Sequence, residues 1–179
     1  MVTIALLRGI NVGGNNILPM QDLRALLTEL GLQQVRTYIQ SGNVVFQNAE
    51  VASSQLSGVI ARAISERYGF EPSVLVLTEE DLARAIALNP FPDAITEPKS
   101  LHLFFLASAP QDPDLSALEK ARKDGEEFAL IDRVFYLHAP AGIGRSKLAA
   151  GVEKSLGVPV TARNWRSVDK IMALAGEIE

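Results

Sequence analysis

Apolar and polar residues alternate along residues 1–78 in a pattern that predicts six regular elements. Apolar residues recur three or four positions apart after Pro19, and again over residues 56–64, as in helices with one buried face. Apolar runs and period-two alternation predict four strands, at residues 2–7, 35–40, 44–46 and 74–77. On this interpretation, Ile39 lies on the same buried strand face as Val35. The elements follow in the order β-α-β-β-α-β.

The pattern repeats in the second half, after a predicted linking helix over residues 79–88 and a Pro-rich connection. Strands are predicted at residues 101–106, 128–131, 134–137 and 160–162. Helices are predicted over residues 113–123, from Gly144 to a stop at Gly157, and over residues 164–175. No residue-level identity relates the two halves, so the repeat is one of element order alone.

The repeated order predicts an α+β fold of two tandem ferredoxin-like halves, each an antiparallel four-stranded sheet with two helices on one face. Right-handed crossovers place the loop after the first strand beside the turn between the second and third strands. In the second half, the loop over residues 139–146 and the end of the last strand meet at the opposite end of the sheet. The predicted segments are a first half at 1–78, a linking helix with a Pro-rich connection at 79–100, and a second half with a C-terminal helix at 101–179.

The composition narrows the possible chemistry. The chain has 179 residues, 47% hydrophobic and 21% charged, with a net charge of −4, as in ordinary globular proteins. Cys is absent, which excludes disulfides and thiolate metal sites, and His102 and His138 lie in strand patterns without a catalytic Ser partner. No metal and no cofactor are therefore predicted. No apolar run approaches the roughly 18 residues of a membrane helix, and no signal peptide is recognisable, so we expect a cytoplasmic protein without a membrane partner.

Positive charge is concentrated at the C-terminal end. Residues 133–179 carry seven Lys or Arg against four acids, whereas residues 50–132 carry seven against fifteen. Two interpretations stay open, namely solvated helix surfaces and a local anion site. The strongly basic domain with interleaved aromatic residues that is typical of nucleic-acid-binding proteins is absent.

The first candidate site is the Gly- and Asn-rich loop over residues 9–16, together with the turn at residues 41–43. Successive Gly and Asn residues can turn backbone N–H groups toward an anion, and the following helix adds its positive end. The alternative is a tight turn whose Asn side chains bond the loop's own backbone. The candidate ligand-binding residues are Arg8, Asn11, Gly13, Gly14, Asn16, Ser41 and Asn43.

The second candidate site is the segment GIGRSK at residues 142–147, just before a predicted helix. Glycines there let the helix amides approach a phosphate, and nearby Arg and Lys side chains can close on the same charge. The alternative is a flexible connector with solvated charges. Trp165, the one Trp, either stacks on a base or sugar ring or packs between layers. The candidate residues are Gly144, Arg145, Ser146, Lys147, Arg163, Asn164 and Trp165.

Four segments of the chain are similar to segments found in a known protein family. They are LLRGINVGG at 6–14, VRTYIQSGNVVF at 35–46, GRSKL at 144–148 and TARNW at 161–165. They resemble the hallmark segments of the bacterial domain-of-unknown-function family 1697. The resemblance implies a cytoplasmic bacterial protein with a duplicated ferredoxin-like architecture. It carries over no catalytic role, because the family has no established activity. Members often have a basic residue after the double glycine, whereas residues 15–17 here are uncharged, which favours the second loop as the anion site.

These observations favour a binding protein for a phosphate-bearing small molecule, such as a nucleotide, with the Gly-rich loops and the C-terminal basic cluster as its site. One alternative is a single-stranded nucleic-acid-binding module, since ferredoxin-like sheets often present aromatic residues to RNA. The missing RNP motifs and the acidic middle of the chain disfavour it. A second alternative is a metal-independent enzyme acting on a phosphorylated substrate. The sequence decides neither enzymatic activity nor oligomeric state.

Overall fold

The computed structural model of the chain describes residues 1–48 and 53–178 and has an α+β fold. Within these ranges it contains two four-stranded antiparallel sheets and six α-helices. Two compact units divide the chain: unit 1 comprises Met1–Arg84 with Asp169–Glu179, and unit 2 comprises Ala85–Val168. The segments predicted from the sequence, 1–78, 79–100 and 101–179, follow the repeated order of elements. The two units follow compactness in space, so their boundaries differ from the predicted ones.

Unit 1 contains the first β-α-β-β-α-β series. Its strands form a sheet in the order β2-β3-β1-β4, and every neighbouring pair is antiparallel. The elements are β1 (Val2–Arg8), α1 (Met20–Glu29), β2 (Gln33–Tyr38), β3 (Asn43–Gln47), α2 (Ser53–Tyr68) and β4 (Ser73–Thr78). Helix α3 (Glu79–Ala87) begins in this unit and ends in unit 2.

The core of unit 1 forms on the side of the sheet that carries the helices. Strand β1 lies at the centre, between β3 and β4, and its apolar side chains are buried on both faces. Ala5 and Leu7 pack with Leu23 and Leu27 of α1 and with Ile60 of α2. The apolar stripe of each helix therefore covers one face of the sheet, as its periodicity predicts.

Unit 2 repeats the series in a second sheet with the order β6-β7-β5-β8. The elements are a 3-10 helix (Pro92–Thr96), β5 (Leu101–Leu106), α4 (Leu115–Ala121), β6 (Glu127–Ile131), β7 (Val134–His138), α5 (Lys147–Leu156) and β8 (Val160–Asn164). Helix α6 (Trp165–Ala175) begins in this unit and ends in unit 1. In the parts of the chain that the structure describes, no helix combines the length and apolarity needed to cross a membrane.

Aromatic packing and helix capping organise the core of unit 2. The ring of Phe135 meets Phe104 edge-on with centroids 5.8 Å apart and stacks on Phe128 at 5.3 Å. Helix α5 begins after Ser146, whose hydroxyl accepts a hydrogen bond from the Ala149 N–H at 3.1 Å. It ends at Gly157, which has a φ of 68°, as the glycine stop predicts.

Two sequence predictions need correction. Ile39 does not continue the buried face of β2: its φ is 50°, its side chain is 51% exposed, and the strand ends at Tyr38. The chain turns at this residue toward β3, so the alternation of apolar and polar residues continues past the end of the strand. The helix predicted over residues 113–123 is shorter at both ends: it begins after Asp114, whose carboxylate accepts a hydrogen bond from the Ala117 N–H at 2.9 Å, and it ends before Arg122, whose backbone is extended.

Candidate functional site

The loop after β1 is a small hairpin. The Asn15 N–H donates to the Val12 carbonyl at 3.0 Å, and Gly13 and Gly14 form the exposed tip with φ values of 58° and 77°. Positive φ at both central residues is the geometry of a type I′ turn, which glycine adopts without steric cost. The run of glycines is thus explained by chain reversal.

Asparagine side chains hold this loop to the turn between β2 and β3, residues 39–42. The Asn11 amide donates to the carbonyls of Leu18 and Gln40, each at 2.9 Å, and its oxygen accepts from the Leu18 N–H at 2.8 Å. Asn16 donates to the Gly9 carbonyl at 2.8 Å. Asn43 donates to the Tyr38 carbonyl at 3.0 Å and to the Ser41 hydroxyl at 2.9 Å. The predicted proximity of loop and turn is present, but these amides bond the chain itself.

Arg8 is the one charged residue of the first candidate site. It lies at the end of β1, opposite Ser73 of β4, and is exposed. The other predicted residues of this site are neutral and take part in hydrogen bonds or tight turns. The structure therefore brings the first set of residues together in a way that suits a rigid loop more than an anion pocket.

The second predicted set is spread over several positions around α5 and β8. Ser146 caps α5, and Lys147 is its exposed first residue. Gly144 and Arg145 are exposed in the preceding loop, where the Arg145 carbonyl accepts a hydrogen bond from Lys123 Nζ at 2.8 Å. Neither Arg145 nor Lys147 lines the two cavities that unit 2 presents at the start of β5.

Arg163 lies on the other face of the second sheet. Its strand neighbour Ala162 packs in the core with α4 and α5, so strand alternation points Arg163 away from those helices. Its guanidinium donates to the Ala162 carbonyl at 2.9 Å, and burial lowers its pKa to about 10. Arg163 thus does not join Lys147 on the helix-bearing face.

Asn164 and Trp165 form the start of α6. The Asn164 side-chain oxygen accepts a hydrogen bond from the Ser167 N–H at 2.9 Å, which is an N-cap. Trp165 is the first residue of the helix and is half-buried. Arg166 follows it and is exposed, so the positive end of the helix and a cation lie at the same end of the sheet.

A cavity of about 490 Å³ opens at this end of the second sheet, and we call it the Lys99–Arg166 cavity. Three parts of the chain meet there, because β7 and β8 end where β5 begins. It is lined by Glu97, Pro98, Lys99, Ser100, Pro140, Ala141, Gly142 and Arg166. The predicted meeting of the 139–146 loop with the end of β8 is thus found, with the chain before β5 as a third wall.

Backbone hydrogen bonds fix the walls of this cavity. The Ser100 N–H and hydroxyl both donate to the Glu97 carbonyl, at 2.8 and 2.7 Å. The Ser100 carbonyl accepts from the Ala139 N–H at 2.8 Å, and the Ala139 carbonyl accepts from the Gly142 N–H at 2.8 Å. The wall before β5 and the wall after β7 are therefore joined by a continuous set of short bonds.

Two cations line the cavity, Lys99 and Arg166, against one acid, Glu97. Among the described residues, none of these three side chains takes part in an ion pair, although all are exposed. Their charges are consequently not neutralised by the chain. A negatively charged ligand that is small enough to enter would meet both cations.

His102 lies two residues beyond Ser100, in the interior of β5. Its side chain is 9% exposed, and its Nδ1 atom has no hydrogen-bond partner. Burial is the larger cause and lowers its pKa, while the Ser100 backbone acts in the opposite direction. His138, at the end of β7, has its Nδ1 4.0 Å from the Glu127 carboxylate. Within residues 1–48 and 55–178, neither imidazole contacts a Ser hydroxyl in the arrangement of a hydrolase.

Sequence reasoning missed Lys99 and Ser100. They lie in the Pro-rich connection before β5, where no motif or periodicity marks a function. The available signal was topological: the start of β5 must lie beside the ends of the two strands that flank it. Gly142 lies within the predicted segment 142–147, and Arg166 directly follows Trp165 of the predicted set.

Comparison with known proteins identifies relatives but no activity. The sequence model of a family described as "Protein of unknown function (DUF1697)" matches residues 1–136. The fold is similar to the solved structure of the conserved bacterial protein SP0830 from Streptococcus pneumoniae, with a TM-score of 0.69 and 26% sequence identity. That similarity covers 97% of this chain and 98% of the other. No curated protein matches the chain.

Proposed function

The chain belongs to the DUF1697 family of proteins of unknown function, and we propose that it binds a phosphate-bearing small molecule in the Lys99–Arg166 cavity. The observation that carries this proposal is that Lys99 and Arg166 line one cavity of about 490 Å³ without ion-pair partners among the described residues. Cavities of roughly 300–1,000 Å³ are typical of small-molecule sites. Two cations at one mouth suit a phosphate better than a carboxylate, since a phosphate carries more charge and more acceptor oxygens.

The local backbone also supports an anion in this place. Gly142 has a φ of 81° and no atom within 4 Å of the position that a Cβ would take, so a ligand can approach its main chain closely. Arg166 is the second residue of α6, whose N-terminal end carries partial positive charge. The site is preformed because its walls are joined by hydrogen bonds, which lowers the entropy lost on binding.

Binding of single-stranded RNA across a sheet has less support. RNA-binding modules of that kind use exposed aromatic side chains on an open sheet face. Here six strand residues that point away from the helices are apolar and at most 2% exposed: Ile4, Leu6 and Val45 in the first sheet and Leu101, Leu103 and Phe105 in the second.

The element order supports a duplicated, ferredoxin-like architecture for the chain. Each unit contains a β-α-β-β-α-β series, and the sheets have the equivalent orders β2-β3-β1-β4 and β6-β7-β5-β8. We propose that both are ferredoxin-like halves of one duplicated protein and that it acts in the bacterial cytoplasm. Similarity to a conserved bacterial protein supports the source.

Paired charge removals test the proposed site. Pyrophosphate and nucleotides are added to the wild type and to two double variants, Lys99→Ala with Arg166→Ala and Arg145→Ala with Lys147→Ala. Ligand at a hundred times its Kd stabilises a protein by about 2.7 kcal/mol, which raises Tm by roughly 5–10 °C for this chain length. We expect the first double variant to lose the shift and the second to retain it. The reverse pattern would move the site to the start of α5.

A further inference from the structure

A second cavity of about 300 Å³ adjoins the Lys99–Arg166 cavity. Glu97, Ser100 and Pro140 line both, so the two are lobes of one cleft. The lobe that contains Lys99 and Arg166 is called the cationic lobe. The other, called the acidic lobe, is further lined by Asp93, Ala94, Thr96 and His138.

The two lobes have opposite charge. Lys99 and Arg166 line only the cationic lobe, whereas Asp93 joins Glu97 in the acidic lobe. Within the described ranges Asp93, like the other three, has no ion-pair partner, even though Lys and Glu side chains occur two positions apart at 97 and 99. Elsewhere the chain does pair exposed charges, for example Arg122 with Glu119 at 2.7 Å. The charges of the cleft are thus left for a ligand.

A run of hydrogen-bonded turns presents these side chains from a fixed backbone. The Ala94 N–H donates to the Phe91 carbonyl and the Glu97 N–H to the Ala94 carbonyl, each at 3.1 Å. The Thr96 hydroxyl donates to the Asp93 carbonyl at 2.9 Å. Ser100 then bonds back to Glu97, as described above. The backbone that carries Asp93, Glu97 and Lys99 is therefore held by hydrogen bonds before a ligand arrives.

We propose that the cleft binds a ligand with a phosphate at one end and a primary ammonium group at the other. This inference rests on the proposed function and adds the ligand's second group. The phosphate contacts Lys99 and Arg166, and the ammonium contacts the Asp93 and Glu97 carboxylates. An ammonium suits the acidic lobe better than a hydroxyl, because two carboxylates favour a compact point charge with three donors.

Calorimetry with two matched series of compounds tests the inference in the full chain. One series is ω-aminoalkyl phosphates with two to six carbons, and the other is the ω-hydroxyalkyl phosphates of the same lengths. EDTA in the buffer excludes bridging by divalent cations. We expect an aminoalkyl phosphate to bind at least about tenfold more tightly than its hydroxyl counterpart at one or two chain lengths, the lengths that span the lobes.

Three variants assign the effect to the cleft. Asp93→Asn combined with Glu97→Gln keeps side-chain size and is expected to abolish the preference for the amine while hydroxyalkyl phosphates still bind. Lys99→Ala combined with Arg166→Ala is expected to weaken both series. Asp112→Asn, an exposed acid of the same unit that lines neither lobe, is the control and should leave both series unchanged.

The outcomes separate this inference from the proposed function. Equal binding of both series at every length would overturn the ammonium assignment and leave phosphate binding intact. A preference for the amine that survives Asp93→Asn with Glu97→Gln would also overturn it. Absence of binding by both series and by pyrophosphate would overturn the proposed function itself.

Discussion

The Asn11 amide donates a hydrogen bond to the Gln40 carbonyl, 2.9 Å away, and thereby ties the loop after β1 to the turn before β3. The same side chain both donates to and accepts from the Leu18 backbone, so it makes three hydrogen bonds in all, to Leu18 and Gln40. The Asn-rich character of this segment is thus a property of its folding. The proposed anion site lies in the other unit.

Replacing Asn11 by Ala should destabilise the protein by about 1–3 kcal/mol, since it leaves the Leu18 N–H and two carbonyls without partners. Urea unfolding measures the change. Asn15→Ala is a control for the loss of an Asn side chain from the same loop, because the Asn15 amide reaches only the Gly13 carbonyl, at 3.5 Å; unlike Asn11, which has a φ of 52°, Asn15 does not have a positive φ. A loss of stability as large for Asn15 as for Asn11 would refute the role assigned to Asn11.

Gly42 cannot carry a side chain without displacing β1. A Cβ there would lie 2.6 Å from the Leu7 Cβ and 2.9 Å from the Ile10 Cδ1, and the residue has a φ of 76°. Gly42→Ala should therefore cost about 2–4 kcal/mol from strain and overpacking together. Gly14 has a φ of 77°, but a Cβ there would have no atom within 4 Å. Gly14→Ala should therefore cost only about 1 kcal/mol. The denaturant midpoints of the two variants should therefore differ, because Gly42→Ala adds a steric clash to the backbone strain that both variants share.

Tyr136 fastens α3 to the second sheet within unit 2. Its hydroxyl donates to the Ala85 carbonyl at 2.7 Å, so Tyr136→Phe should lower the free energy of unfolding by about 1–2 kcal/mol. Burial, with the negative charge of Asp132 as a second cause, raises the pKa of Tyr136 to about 12.

The raised pKa of Tyr136 gives that prediction a pH signature. An unfolded Tyr ionises near pH 10, so the wild type loses stability between about pH 10 and 12, while Tyr136→Phe lacks this loss. The stability difference between the two proteins should shrink as the pH rises through that interval. A constant difference up to pH 12 would contradict the assignment.

His102 predicts a pH dependence at the acidic end. Burial lowers its pKa below the usual 6.5, so the unfolded chain binds a proton more readily than the folded one. Stability should fall as the pH drops below about 6.5, with a slope of at most about 1.4 kcal/mol per pH unit from this residue. His102→Gln should flatten the dependence in urea unfolding at pH 7.5 and 5. Parallel curves for wild type and variant would contradict this.

Much of the fold was predictable because local patterns and tertiary packing agree. The glycine stop at Gly157 is present as a residue with positive φ. The linking helix predicted over residues 79–88 is present as α3, and at its start Thr78 and Asp81 form reciprocal backbone-to-side-chain bonds of 2.9 and 3.0 Å. The predicted family membership is likewise confirmed.

The predictions that failed concern features that a local sequence pattern does not determine, namely the position of a turn, the face of a strand and the order of strands. At Ile39 an alternating pattern runs past the end of its strand, because periodicity does not register where a chain turns. At Arg163 the expected meeting of the 139–146 loop with the end of the last strand predicts one cluster with Lys147, but strand alternation points the side chain to the other face. Lys99 belongs to the cavity only through strand order, which no local motif encodes.

The most direct test of the phosphate-site assignment is a titration of ¹⁵N-labelled protein with pyrophosphate, followed by amide chemical shifts. We expect the largest changes at Lys99, Ser100, Gly142 and Arg166, with Gly13 and Gly14 unaffected. Saturable changes confined to Gly13 and Gly14, or to Gly144 and Lys147, would contradict the assignment and place the anion at a loop that the structure uses for chain reversal or helix capping.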